Sequence, residues 1–433
     1  MITGDPVVSP SATATQAKVG NFRWFICGLL FYATTVNYMD RVVMGILKTT
    51  IAHDLHWTDT DYGTITAAFQ IGYAIMLPIA GRLIDKLGLR FGYALAVFVW
   101  GLSSIGHAFA GNLLQFTVAR FGLGLGEAAN FPAAIKTVAD WFPRKQRALA
   151  TGIFNSGTNV GAIIAPLIVP VVVARFGWHS AFLVTGCFSL SWILVWLFFY
   201  REPEANPRLS PAELAYIRSD KEDETPVKIP YWKLLTKRAA WAFLLGKFFT
   251  DPVWWFYLFW IPGFFGDKYH IDLVHLGPPL VVIYLFADVG SIAGGWLSST
   301  LLKRGWELTR ARKTAMLVFA CTVLAIAFVP FTGGSLWLTV ILVGIAAGSH
   351  QGWSANLFTI GSDCFPRKTV GSIVGFGGLG GAVGGALVQP AVGKWLDLSH
   401  QSYAPLFFIA GSMYLFTLLL IHLILPKFRQ ESF

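Results

Sequence analysis

Charge is scarce in this chain of 433 residues: only 13% are Asp, Glu, Lys or Arg, while 55% are hydrophobic. A soluble globular domain carries about 25% charged residues, and half that fraction cannot keep so much apolar surface in water. The composition therefore excludes a soluble enzyme and a disordered protein. It indicates a protein whose surroundings are mostly lipid.

Cysteine is also rare. Four cysteines stand singly in apolar runs, at Cys27, Cys187, Cys321 and Cys364. None has CxxC spacing or a nearby His, so neither a disulfide framework nor a zinc site is expected. The glycines between residues 122 and 126 lie inside an apolar run, and no P-loop Lys-Ser or Lys-Thr pair follows them. We therefore expect no cofactor and no nucleotide site, and without a nucleophile and base we expect no enzyme.

Long apolar runs dominate instead. A membrane-spanning helix needs about 20 apolar residues, and twelve runs are of this kind. They cover residues 24–47, 60–81, 91–110, 112–138, 148–173, 178–200, 240–265, 276–302, 314–331, 335–361, 370–393 and 403–426. Of the 33 Lys and Arg residues, 25 lie in the termini and in the loops after the even-numbered spans. Because positive loops stay in the cytoplasm, both termini are predicted to be cytoplasmic, and the net charge of +10 reflects topology rather than a nucleic-acid partner.

One hydrophilic segment divides the chain. Between residues 201 and 238, 15 of 38 residues are charged, and six predicted spans lie on either side. We predict a disordered cytoplasmic tail (1–20), an N-terminal six-helix bundle (21–201), a cytoplasmic linker (202–238) and a C-terminal six-helix bundle (239–428). Within the linker, the spacing of Ser210, Pro211 and Glu213 predicts the start of a short helix.

An internal repeat relates the two halves. A shift of 223 residues superposes Asp140, Phe142, Pro143, Arg144 and Lys145 on Asp363, Phe365, Pro366, Arg367 and Lys368. The same shift matches Gly152, Gly157 and Gly161 with Gly375, Gly380 and Gly384. Duplicated helical bundles of this kind place a substrate between the halves, near the middle of the membrane, and expose it alternately to the two sides. The repeat therefore favours a carrier.

Several motifs resemble a known family. GRLIDKLGLR at 81–90, with a weaker echo at 294–305, resembles the loop signature of the major facilitator superfamily. NYMDR at 37–41, GEAANFP at 126–132 and FPRKQRALATGIFNSG at 142–157 resemble its anion:cation symporter branch. The segments 250–262, 285–295 and 349–356 resemble bacterial hexuronate transporters. The resemblance implies an all-α membrane protein of twelve transmembrane helices in two pseudo-symmetric six-helix bundles, located in the bacterial inner membrane.

Charge inside a span is costly and is functional by default, and four of the five charged residues inside spans 1 and 4 are candidates on this ground: Asp40, Arg41, Arg120 and Glu127. We expect Arg41 or Arg120 to hold an organic carboxylate through two parallel hydrogen bonds. Asp40 or Glu127 could then take up a proton when the arginine turns to substrate. The alternative is a fixed Asp40–Arg120 pair that only locks two helices together. The resemblance assigns proton coupling to Asp40 and Glu127 and the substrate contact to Arg41.

A sugar acid also needs apolar faces and hydrogen-bonding groups. Aromatic rings supply faces with polar handles, and hydroxyl and amide side chains supply the rest. The further candidates for substrate binding are Tyr38, Tyr73, Asn155, Thr158, Trp254, Tyr257, Gln351, Ser354 and Asn356. Among them, Trp254 and Tyr257 are expected to form one face of the cavity.

Other polar residues are assigned to gating or left open. Gating is predicted for Gly81, Asp85, Arg90 and Asp288. Lys247 and Asp251, one turn apart, form either a self-satisfied pair or a gating or binding element. His350 occupies the position that the repeat assigns to Glu127, so it is either a second proton site or a hydrogen-bonding residue. Lys136 and Asp140 are expected to be structural: a snorkelling amine and a helix-end contact.

Together these features predict a proton-coupled carrier that imports a hexuronate such as glucuronate or galacturonate. Its partners would be a sugar-acid anion, protons and the lipid bilayer. Two alternatives stay open: a symporter of another organic anion, such as an aldonate like galactonate or an aromatic acid, and a transporter-like sensor that binds without flux. A sensor would be expected to carry an appended signalling domain.

Overall fold

The computed structural model describes residues 19–219, 231–366 and 370–431, and every regular element in these ranges is helical. The predicted disordered tail lies, apart from residues 19 and 20, outside the described residues. The first half contains α1 (Phe22–Ile46), α2 (Lys48–Leu55), α3 (Asp59–Leu87), α4 (Leu89–Ala108), α5 (Leu113–Glu127), α6 (Asn130–Trp141), α7 (Arg144–Phe176) and α8 (Trp178–Phe199).

The linker and the second half follow. The linker contains a 3-10 turn (Pro203–Ala205), α9 (Pro211–Arg218) and α10 (Tyr231–Leu234). The second half contains α11 (Arg238–Phe259), α12 (Ile261–Tyr269), α13 (Gly277–Lys303), α14 (Leu308–Val323), a 3-10 continuation (Leu324–Phe331), α15 (Leu336–Cys364), α16 (Val370–Leu398) and α17 (Ala404–Ile424). Each of the twelve predicted spans thus coincides with helix.

In the described ranges, eight helices are both long and apolar enough to cross a membrane. The predicted spans outside this group are the first, fourth, seventh and tenth, formed by α1, α5 with α6, α11 with α12, and α15. These four helical segments carry Arg41, Glu127, Lys247 and His350. α5 and α6 are each too short to qualify, with 15 and 12 residues, whereas α1, α11 and α15 are long enough but less apolar.

Two predicted continuous spans are interrupted. The run at 112–138 breaks after Glu127, where α5 ends and α6 begins at Asn130. The run at 240–265 breaks at Trp260, and Pro262 lies in the first turn of α12. Proline lacks the N–H that an uninterrupted helix would need and is tolerated in a first turn. The ninth span begins at Leu308 rather than 314 and ends as a 3-10 helix.

The repeat is visible in the packing of small residues. Glycines of α7 and α16 lie directly against the backbones of α1 and α11, so that an added Cβ atom would clash. On α7, that atom would lie 2.6 Å from the Phe31 carbonyl oxygen at Gly157 and 2.2 Å from the Thr35 carbonyl oxygen at Gly161. On α16, it would lie 2.6 Å from the Leu244 carbonyl oxygen at Gly380 and 2.2 Å from the Phe248 carbonyl oxygen at Gly384. Residues of α1 and α11 therefore correspond at an offset of 213.

Hydrogen bonds and an ion pair join the two halves at the end where α1 finishes, called here the far end. The Asp397 carboxylate of α16 accepts hydrogen bonds from the N–H groups of Asp59 and Thr60, at 3.0 and 2.9 Å. Lys48 Nζ lies 2.6 Å from Asp59 and 3.6 Å from Asp267. The opposite, near end carries the start of α1, the end of α17 and the described parts of the linker.

The linker helix is attached to the near end. Ser210 caps α9 by accepting from the Glu213 N–H, as its spacing predicts. The buried Glu213 carboxylate accepts from the N–H groups of Phe22 and Arg23 and forms an ion pair with the Arg23 guanidinium at 2.9 Å. A carboxylate at a helix N-terminus is favourable, so α9 holds the start of α1 in place.

Candidate functional site

A buried ion pair joins α1 to α5. Arg41 Nε and Nη2 donate to the same Glu127 oxygen, Oε2, at 2.9 and 2.7 Å. Nη2 also lies 3.4 Å from Asn37 Oδ1. Both charged side chains are almost completely buried. The other carboxylate oxygen, Glu127 Oε1, has no hydrogen-bond partner among the described residues. This arrangement leaves Glu127 one free acceptor next to a cation.

Aromatic rings surround the Arg41 guanidinium. Its Cζ lies 4.7 Å from the centroid of the Tyr38 ring and 5.3 Å from those of Phe69, Tyr73 and Trp255. A guanidinium within about 6 Å of a ring face is attracted by the ring. Tyr38 and Tyr73 are predicted site residues. Phe69 and Trp255 are not, and Trp255 comes from α11, so the cage spans both halves of the molecule.

The predicted contact between Asp40 and Arg120 exists only through the backbone. Arg120 Nη2 donates to the Arg41 carbonyl oxygen at 2.9 Å, and Nη1 lies 3.4 Å from the Asp40 carbonyl oxygen. The Asp40 carboxylate instead accepts from Ser104 at 2.5 Å and Ser189 at 2.9 Å. A locked Asp40–Arg120 carboxylate pair is therefore wrong. Arg120 instead binds the backbone of α1, and the Asp40 side chain points toward α4 and α8.

An aromatic pair stands in the second half at the position of the first-half ion pair. The offset of 213 between α1 and α11 matches Arg41 with Trp254, and the repeat matches Glu127 with His350. The Trp254 and His350 rings stack at 5.1 Å with an interplanar angle of 9°. His350 Nδ1 and the Tyr414 hydroxyl are 2.6 Å apart. The expected face shared by Trp254 and Tyr257 is replaced by this Trp254–His350 stack.

The predicted hydroxyl and amide ligands divide into two groups. Asn155 is exposed, and Gln351 and Ser354 are half-buried, so their polar groups are accessible. The others are occupied or enclosed. Thr158 donates within its own helix to the Asn155 carbonyl oxygen at 2.8 Å. Asn356 Nδ2 donates to carbonyl oxygens of Gly294 and Gly352 at 3.0 and 2.9 Å.

Asn356 thereby clamps α13 to α15 instead of offering its Nδ2 to a ligand. Tyr257 is buried, and its hydroxyl has no partner among the described residues. Asn155, Gln351 and Ser354 are therefore the accessible members of this predicted set. Accessible polar groups occur on α7 and α15, whereas the charged groups lie on α1 and α5.

Three of the four gating candidates lie at the near end, and Asp288 lies midway along α13. Asp85 forms an ion pair with Lys136 at 2.6 Å, which corrects the prediction of a snorkelling amine at Lys136. The Arg90 guanidinium donates to the Leu197 carbonyl oxygen and so ties α4 to α8. Gly81 is exposed at the near end of α3. Asp288 is half-buried in α13, and its Oδ1 is unpaired within the described ranges.

Lys247 and Asp251 form the self-satisfied pair that their spacing suggests. Lys247 Nζ lies 3.1 and 2.8 Å from the two carboxylate oxygens of Asp251. Their side chains are 9% and 16% exposed. The second half thus holds its own buried ion pair, on a single helix.

The far-end cluster of Lys48, Asp59, Asp267 and Asp397 is absent from the sequence-based candidates. These residues lie at span ends, where charge is ordinary. They matter because they connect segments far apart in the chain. Lys48 lies near Asp267, and the Asp59 N–H donates to Asp397, so both contacts join the two halves. The sequence could have indicated this cluster in one way only: the lysine and the three acids lie at span ends that the predicted topology places on the same side of the membrane.

Two repeated helical bundles with a buried ion pair at their junction define a membrane transport protein rather than an enzyme. The chain belongs to the Major Facilitator Superfamily, whose family model matches residues 30–389.

Curated relatives are similar over most of the chain. A hexuronate transporter of Escherichia coli K12 is 31% identical over 90% of this chain and 91% of its own length. A galacturonate transporter of Dickeya chrysanthemi is 35% identical over 65% of this chain and 82% of its own length. Among solved structures, a bacterial homologue of the human lysosomal transporter Spinster, in an inward-facing unoccupied conformation, has a TM-score of 0.75 at 18% identity and covers 96% of this chain and all of its own.

Proposed function

We propose that this protein imports a hexuronate, such as glucuronate or galacturonate, together with protons. The observation that carries the proposal is the Arg41–Glu127 pair, enclosed by rings from both halves of the molecule. The similarity to hexuronate and galacturonate transporters supports the substrate class. The charge pattern of the loops supports cytoplasmic termini, which makes the far end periplasmic.

Exchange of partners at Arg41 couples the anion to the proton. The guanidinium fork now donates two hydrogen bonds to one Glu127 oxygen, and it suits a substrate carboxylate equally well. When the substrate takes the fork, Glu127 loses its cation. A buried carboxylate without a partner is strongly unfavourable, so Glu127 takes up a proton as the substrate binds. Release of the substrate returns Arg41 to Glu127 and expels the proton.

The remaining polar and aromatic groups suit the sugar. The Trp254 ring, held by stacking on His350, offers a flat apolar face to the C–H side of a pyranose. Asn155, Gln351 and Ser354 offer hydrogen-bonding groups to the hydroxyls. The substrate then lies with its carboxylate on the first half and its ring on the second, which allows it to draw the halves together.

Asp40 is proposed as a second proton-binding acid. It lies on the face of α1 away from Glu127, held by Ser104 and Ser189. The Arg120 guanidinium contacts the carbonyl oxygens of both Asp40 and Arg41. A movement of the backbone at either residue would therefore shift Arg120 and, through it, the other residue. Two acids would make uptake of a monoanion electrogenic.

The sealed far end supports an inward-facing state. With the termini in the cytoplasm, the bridges of Lys48 to Asp267 and of Asp397 to Asp59 and Thr60 close the periplasmic side. We propose that these bridges open when the near end closes. Asp85, Arg90, Gly81 and Asp288 are the proposed elements of that near-end movement.

The test uses purified protein in liposomes with a pH dye trapped inside. Glucuronate added outside should acidify the lumen in a substrate-dependent manner, and galacturonate should compete. Acidification by galactonate alone would favour the aldonate alternative. Substrate binding without acidification or flux in tight vesicles would favour a sensor. Silence with all these anions in tight vesicles would overturn either the substrate class or the coupling ion.

A further inference from the structure

A groove of about 580 Å³ lies at the near end, between the start of α14 and the end of α17. Both helices, α14 together with its 3-10 continuation, are long and apolar enough to cross a membrane. None of the residues that line the groove belongs to the proposed substrate site or to the proposed gates. The transport function described above therefore leaves this groove without a role.

The end of the groove next to the loops is basic. Three cations line it, Arg310, Lys313 and Lys427, against a single acid, Glu307. We call these three cations the basic rim. Arg310 Cζ lies 4.5 Å from the centroid of the Trp306 ring, and tryptophan is typical of the membrane–water interface. Arg310 and Lys427 are exposed, and neither forms an ion pair with a described residue. The rim thus presents net positive charge at the level of lipid head groups.

Lys313 holds the segment that brings Lys427 to the rim. Its Nζ donates to the carbonyl oxygens of Leu425 and Pro426, at 2.7 and 2.9 Å. The same Nζ lies 3.2 Å from His422 Nδ1. An ammonium group has three N–H donors, and these three contacts engage all of them. Direct contact with an anion is therefore left to the other two cations, while Lys313 contributes its charge and fixes the chain after α17.

The groove becomes apolar deeper in the membrane. On α14, Leu317 lies one turn deeper than Lys313. On α17, Leu418 and Leu415 lie one and two turns deeper than His422. At 1.5 Å per residue, these two leucines are about 6 and 10 Å below the histidine. Leu317 is 45% exposed, so the protein leaves this apolar floor of three leucines uncovered.

We propose that the groove binds an anionic phospholipid, such as phosphatidylglycerol, with its phosphate at the basic rim and an acyl chain along the apolar floor. Basic pockets between transmembrane helices bind anionic head groups in this way. A soluble phosphate ester has no group for the leucines, and a zwitterionic lipid has no net charge for the rim. The bound lipid joins the start of α14 to the chain after α17, whichever substrate the carrier takes.

The test measures lipid binding to the purified full-length protein by native mass spectrometry. It compares phosphatidylglycerol with phosphatidylcholine of the same acyl chains, and a third arm adds glycerol 3-phosphate, which has the phosphate but no chains. The variant is Arg310→Gln with Lys427→Gln. The matched control is Arg201→Gln with Arg304→Gln, which removes the same charge from exposed near-end positions outside the groove. Thermal unfolding checks that each variant is folded.

We expect the wild type and the control to bind phosphatidylglycerol about tenfold more tightly than phosphatidylcholine. The Arg310/Lys427 variant should lose about tenfold in affinity for phosphatidylglycerol and none for phosphatidylcholine, because each basic side chain near the membrane surface attracts anionic lipid. Glycerol 3-phosphate should not displace the lipid. Equal affinity of the wild type for the two lipids, or unchanged binding by the variant, would overturn the inference.

Two other outcomes would also contradict a built lipid site. An equal loss in the control would show that anionic lipid is attracted to the near end as a whole rather than to this groove. Displacement of phosphatidylglycerol by glycerol 3-phosphate at a similar concentration would show that the rim binds phosphate from water and that the apolar floor contributes nothing.

Discussion

Replacing Glu127 with Gln should separate binding from coupling. The side chain keeps its size but can no longer take up a proton, and its two hydrogen bonds from Arg41 lose their ionic partner. Hydrogen bonds to charged groups contribute about 1.5–3 kcal/mol each. The substrate competes with Glu127 for Arg41, so weakening one of these hydrogen bonds to Glu127 should tighten substrate binding. A difference of 1.4 kcal/mol corresponds to a factor of ten, so the expected gain is roughly tenfold or more.

Coupling should be lost in the same variant. A proton that moves down a gradient of one pH unit releases about 1.4 kcal/mol, enough for a tenfold concentration ratio per proton. Wild-type liposomes should therefore accumulate glucuronate about tenfold or more, whereas the variant should only equilibrate it while still exchanging internal for external substrate. Glu127→Asp, which keeps the carboxylate, is the control. Normal accumulation by Glu127→Gln, or loss of exchange, would refute the role of Glu127.

Three further predictions follow from single contacts. Arg41→Lys keeps the charge but loses the fork, so affinity for glucuronate should fall about 10- to 100-fold by calorimetry; unchanged affinity would remove Arg41 from the carboxylate site. Breaking the far-end seal with Lys48→Ala or Asp267→Asn should increase labelling of engineered far-end cysteines, and unchanged labelling would show that this bridge does not hold the gate. Trp255→Ala should weaken binding through Arg41, whereas Trp254→Ala should lower discrimination between sugars at similar carboxylate affinity; the reverse pattern would contradict the two assigned positions.

Much of the fold could be predicted because apolar length and loop charge are local properties of the sequence. The predicted Arg41 and Glu127 do meet, since intramembrane charges must find partners in such a structure. Local reasoning failed at Trp255. Several aromatics follow one another on α11, and the helical phase that turns Trp255 rather than Trp254 toward Arg41 depends on how α11 packs against α16.

Other features depend on contacts between distant segments. The break after Glu127 ends α5 beside α4, where an added Cβ atom on Gly126 would lie 2.6 Å from the Trp100 backbone nitrogen. The alternative interpretation paired Asp40 with Arg120, but the Asp40 carboxylate accepts hydrogen bonds from Ser104 and Ser189 on other helices. Hydroxyl groups are too common in membrane helices for sequence alone to identify which of them bind a carboxylate.

Under the proposed function, the duplicated halves offer different binding groups to the two ends of a sugar acid. Equivalent positions hold a charged pair, Arg41 with Glu127, in the first half and a stacked pair, Trp254 with His350, in the second. A guanidinium selects a carboxylate, whereas an indole face selects apolar C–H surface. In the proposed binding mode the carboxylate is held mainly by the first half and the sugar ring mainly by the second, so a molecule that lacks either end should fail to bring the bundles together. Specificity for sugar acids would then arise from the divergence of the repeats rather than from any single ligand.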